Sequence, residues 1–143
     1  MVLVSVPVAG SGSARASCAA PELAVAGAGT GPAGVARVPA GGSLAVAGRG
    51  FVEGCDDTGG ATTGPGCGAR EPREVERPRR DVALVLVQGS RRWTLGTADA
   101  GTASDDRLGR VSWRVEVPAA VRPGPARLVT RDAELRVRVV APG

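Results

Sequence analysis

Three cysteines, five aspartates and one mixed run of arginines and glutamates are the residues here whose types and spacing can do chemistry. Cys18, Cys55 and Cys67 come first. A thiolate nucleophile needs a neighbouring group that lowers its pKa, and the chain holds no histidine and no lysine to do so. The same absence removes Ser-His-Asp and Cys-His machinery, imidazole metal sites and Schiff-base chemistry. The cysteine spacing is not that of a structural zinc site either. A disulfide is what these residues best offer, with one thiol left over. Cys55 and Cys67 enclose a glycine-rich segment that brings them together easily. The alternative joins Cys18 to Cys55, because a first strand antiparallel to the second would start beside the second's end.

Asp56, Asp57, Asp99, Asp105 and Asp106 sit in two loop-like stretches. Calcium takes six to eight oxygens, several from converging carboxylates, and neither stretch has the spacing of a calcium loop. Asp with Gly is also ordinary turn chemistry. No metal or other cofactor is expected. Arg77, Arg79 and Arg80, interleaved with Glu71, Glu74 and Glu76, read either as a solvated loop or as a contact patch for an anionic partner. With Asp56 and Asp57 they make the candidate contact loop. Trp93 and Trp113 fall on inward faces by alternation and belong to the core rather than to a sugar-binding platform.

The elements that must position these residues are strands. Leu23 and Val25 share one face of ELAV, and Val35 to Val38 supplies a short edge segment. Pro39-Ala40-Gly41-Gly42 is a turn, and Leu44 and Val46 then face inward. Phe51 follows a Gly-Arg-Gly exit. DVALVLVQ at 81–88 is apolar on both faces and reads as the central buried strand. RRWTLGTA follows a Gly-Ser turn, and 99–109 reads as a polar hairpin loop. VSWRVEV at 111–117 alternates cleanly, with Val111, Trp113, Val115 and Val117 inward. ARLVTR and ELRVRVV close the chain, with Arg136 and Arg138 outward. About seven short strands, separated by Gly and Pro signals, predict an antiparallel sandwich or barrel. Residues 52–80 show no periodicity and are expected to form one long irregular loop.

Charge and termini bound the partners. Eighteen arginines face 14 acids, for a net charge of +4 over 143 residues. In the sequence the arginines are scattered, there is no nucleic-acid-binding motif, and aromatics for stacking are few, so nucleic acid is not an expected partner. Met1 to Ala16 pairs a short apolar run with Ala14-Arg15-Ala16 and reads as a signal peptide whose start lies upstream. The run is too short to span a bilayer. Lipidation at Cys18 is the rival processing event, and it would be the chain's one route to a membrane. The expected location is secreted or at the cell envelope, the expected state a monomer. Residues 17–143 are expected to form one domain.

Pro-Ala-Gly-Gly, then Leu-x-Val-x-Gly-x-Gly-Phe over 39–51, Leu-Gly-Thr-Ala-Asp-Ala from 95, Val-Pro at 117–118 and Arg-Pro-Gly-Pro-Ala-Arg-Leu at 122–128 carry a resemblance. From about Pro21 onward the chain resembles bacterial immunoglobulin-like domains of small exported proteins and lipoproteins from actinobacteria. The resemblance implies an all-β, antiparallel immunoglobulin-like β-sandwich of about seven strands with one long loop. Its motifs are turn and core signatures that speak to fold and hardly to function; the expected role, from the missing catalytic residues and the leader-like segment, is a non-catalytic structural or binding one at the envelope, toward a protein or an anionic envelope polymer. The alternative is a secreted protease inhibitor presenting residues 56–66, closed by Cys55 and Cys67.

Overall fold

The structure, a computed structural model, describes residues 20–27, 34–54, 76–102, 104 and 106–143. Among them are ten strands and no α-helix: β1 (Glu22–Val25), β2 (Ala36–Pro39), β3 (Ser43–Arg49), β4 (Val52–Glu53), β5 (Arg77–Pro78), β6 (Val82–Gln88), β7 (Arg91–Ala98), β8 (Val111–Glu116), β9 (Gly124–Val129) and β10 (Glu134–Val140). One sheet has three strands in the order β1-β3-β8. A second has five in the order β2-β10-β9-β6-β7, and β4 and β5 pair as a ribbon.

Alternation decides which side of each strand is buried. In β3 the pattern puts Leu44, Val46 and Gly48 inside and Ser43, Ala47 and Arg49 outside. The inward residues of both sheets form one core, with Leu44, Val46 and Trp113 on the smaller sheet and Leu84, Leu128 and Val137 on the larger. Trp113 ties the sheets together: its indole Nε1 donates to the Val82 carbonyl oxygen at 3.0 Å, in a buried position. A buried indole N–H needs such an acceptor. Phe51 meets Trp113 edge to face, ring centroids 5.8 Å apart and planes at 80°. Gly48 makes room for this pair, since a Cβ there would lie 2.5 Å from Phe51 Cε2 and 3.1 Å from Trp113 Cζ3.

Strand pairing and connections differ from the sequence expectations. The sandwich is not wholly antiparallel, because β2 runs parallel to β10, Arg37 opposite Arg138 and Val38 opposite Val139. The turn after Pro39 carries the chain from one sheet to the other, as β2 and β3 lie in different sheets. Residues 99–109 likewise cross between sheets, from β7 to β8, instead of closing a hairpin. The middle of the larger sheet is β9, while β6 stands between β9 and the edge strand β7. A short segment cannot announce its neighbour, because pairing partners are chosen by the packing of both sheets together.

Candidate binding surface

The stretch 52–80 is structured at both ends. Val52 stands opposite Pro78 and Glu53 opposite Arg77, which shortens the expected irregular loop. Arg79 anchors the ribbon. Its backbone N–H donates to Phe51 O at 3.0 Å, its carbonyl accepts from the Ala100 N–H at 2.8 Å, and its Nε donates to Val52 O at 3.1 Å. The guanidinium also pairs with Asp132, both side chains being about two-thirds or more covered. Asp99 accepts from the Asp81 N–H at 2.8 Å, where Asp81 sits at φ 51°. The loops around 79, 99–109 and 132 therefore do meet at one end of the molecule. The crossovers between the sheets bring them there.

At that end Arg79 is occupied with holding backbone and Asp132, while Arg77 and Arg80 are exposed. Among the described residues, no three acidic or thiol side chains converge on a point where a metal ion could sit. Cys18, Cys55, Cys67, Asp56, Asp57 and Asp105 lie outside the described residues. So do both disulfide pairings, the lipidation at Cys18, the leader at 1–16 and the loop 56–66.

A different surface stands out. On the outer face of the five-stranded sheet, Arg37 of β2 lies opposite Arg138 of β10, and Arg138 lies opposite Pro125 of β9. Two residues along, Arg136 lies opposite Arg127, Arg127 opposite Val87, and Val87 opposite Arg92. All five arginines are exposed. Like charges directly opposite one another destabilise a sheet. Among the described residues the one acid on this face is Glu134, which accepts from Arg127 Nη1 at 3.1 Å. Among the described residues, Arg37, Arg92, Arg136 and Arg138 have no carboxylate within ion-pair distance.

Between the two arginine rows runs an open groove of about 670 Å³, whose lining includes Val35, Arg37, Val87, Pro125, Arg127 and Arg138. Val87 is only 4% exposed although it points outward. The arginines flanking it bring aliphatic stems that cover apolar surface while keeping their charged ends in water. The face is thus an apolar floor edged by guanidinium groups, each a planar set of donors suited to phosphate or carboxylate oxygens.

Sequence reasoning placed Arg136 and Arg138 outward but did not assemble this surface. The signal was present in ARVP, PARLV and ELRVRV, where arginines alternate with inward apolar residues. What was missing was the order β2-β10-β9-β6, which sets the arginines of separate segments beside one another. No protein-family model, curated protein or solved structure matches the chain.

Proposed function

We propose that the chain is a non-catalytic, exported immunoglobulin-like module that binds an anionic partner of the cell envelope through the arginine face of its five-stranded sheet. The observation that carries this reading is the register of Arg37 with Arg138 and of Arg127 with Arg136. Two like-charge pairs side by side, with one glutamate among them, are a cost to the isolated fold that an anionic ligand would turn into binding energy. Sites where a protein breaks a local rule are where function is expected.

The strand order supports the immunoglobulin-like part of the reading. Read as an immunoglobulin-like sandwich, β1, β3 and β8 would stand for strands A, B and E, and β6, β7, β9 and β10 for C, C′, F and G. In this frame β2 is a first strand that has switched sheets to run along G. The chain departs from antibody domains in its core, where the buried tryptophan is on β8 rather than on the C strand. Export rests on the leader-like segment before Ala16, and the non-catalytic role on the lack of histidine and lysine.

Co-sedimentation of the purified chain with a cell-envelope fraction tests the reading. The wild-type chain should sediment at low salt and be released at high salt, as contacts made by exposed charges are screened. The variant R37Q/R127Q/R136Q/R138Q should stay in the supernatant. Equal sedimentation of that variant and the wild type would overturn the proposal.

A further inference from the structure

The spacing of the arginine pairs narrows the anionic partner, on the reading of this face given above. We infer that the groove takes a linear phosphodiester polymer without aromatic bases, of the polyol-phosphate kind, with successive phosphates seated on successive arginine pairs.

Each pair can fork around one phosphate, Arg127 by exchanging its half-exposed Glu134 partner for the phosphate oxygens. Arg37 and Arg138 occupy neighbouring strands in direct register, as do Arg136 and Arg127. Side chains so placed start about 5 Å apart at Cβ, close enough for two guanidinium groups to share the oxygens of one phosphate. The pairs are offset by two residues along the strands and by one strand across the sheet. With about 3.4 Å per residue and about 4.8 Å between strands, their centres lie about 8 Å apart. An extended chain with a glycerol unit between phosphates repeats at close to this interval. Its carbons would then lie over the apolar floor formed by Val35, Pro125 and the arginine stems, which a bare inorganic anion would leave unused.

Charge and aromatic placement choose among polyanions. Single-stranded nucleic acid binding relies on aromatic side chains on which bases stack. The chain has three aromatic residues, of which Phe51 and Trp113 are buried in the core and Trp93 packs against it from the inward side. This face therefore offers phosphate contacts without a stacking platform. An acidic membrane surface is flat, whereas the guanidinium rows here edge a groove that holds a chain.

The test is direct binding of the purified full chain to poly(glycerol phosphate), by titration calorimetry over a series of salt concentrations. Two phosphates neutralised, at about −0.7 each, give an expected slope of log K against log[salt] near −1.4. R37Q/R127Q/R136Q/R138Q should abolish detectable binding, and R49Q/R114Q, on the opposite sheet, should change it less than twofold. The variant R37K/R127K/R136K/R138K keeps the charges but loses the planar fork, so it should bind more weakly than the wild type while unfolding with the same cooperativity. Oligo-dT, polygalacturonate and vesicles rich in phosphatidylglycerol complete the comparison, each expected to bind more weakly. Failure to bind poly(glycerol phosphate), or tighter binding to any of the three other probes, overturns the inference. Arginine-dependent envelope sedimentation without polymer binding would sink this inference and leave the broader anion-binding reading standing.

Discussion

The two sheets turn very different outer faces to solvent, although both are built from strands of the same alternating kind. On the three-stranded sheet, Arg49 pairs with Glu22, Nε to Oε2 at 2.7 Å, and Ser43 donates to Glu116 at 2.6 Å. Ala24, Ala47 and Ser112 fill one row between them. Two arginines, Arg49 and Arg114, are there balanced by two glutamates, Glu22 and Glu116. On the five-stranded sheet, five arginines meet one glutamate, and arginine stands opposite arginine in two places. The first face is what a solvated sheet requires of its polar side. The second is under electrostatic tension that the fold relieves only at Arg127, through Glu134, so net charge matters less than how strand order distributes it.

The largest effect should come from breaking the tie that both faces share. Trp113→Ala removes the indole bonded to Val82 and the partner of Phe51, and should cost about 3–5 kcal/mol, read as a lower denaturant midpoint. A cost below that of an ordinary surface change would show that the two sheets are not held by this residue. Gly48→Ala, on the inner side of the smaller sheet, forces a methyl into the Phe51 ring and should cost about 1–3 kcal/mol, with both outer faces untouched. An unchanged midpoint would mean that the Phe51–Trp113 pair moves aside freely.

The next change separates the faces. Arg138→Thr removes like-charge opposition to Arg37 and should stabilise the chain by up to about 1 kcal/mol, while weakening binding to anions. Arg114→Thr on the balanced face should give no such gain, staying within about 0.5 kcal/mol. If Arg138→Thr destabilised the chain instead, the arginine face would be serving the fold and not a ligand. A comparably small effect is expected at Arg49→Ala, since its pair with Glu22 is mostly exposed and such pairs contribute roughly 0–1 kcal/mol. The same denaturation series reads it.

Much of the architecture was legible because side-chain period and turn chemistry are local. The inward set Leu44, Val46, Val111, Trp113, Val137 and Val139 follows from alternation alone, and all six are buried. The turns at 40–42 and 89–90 follow from Ala-Gly-Gly and Gly-Ser. The candidate surface was not legible in the same way. The charges of the run around Arg77 to Arg80 are adjacent in sequence and so visible there, yet Arg79 gives its donors to Val52 and Asp132. Arg37, Arg127 and Arg138 do not stand out as a group, because 90 and then 11 residues separate them along the chain.

By itself, then, the sequence determined an all-β chain, the inward and outward side of most strands, and a side-chain repertoire that lacks histidine and lysine. These depend on the period-two geometry of a strand and on the composition, and both are properties of short segments. Tertiary structure decided which strands are neighbours, that β2 leaves the first sheet to run parallel to β10, and that arginines from distant segments meet in register. Those outcomes follow from the closing of two sheets over one core around Trp113. No single segment carries that information, because the partner of each strand is settled only when the apolar faces of all of them are buried at once.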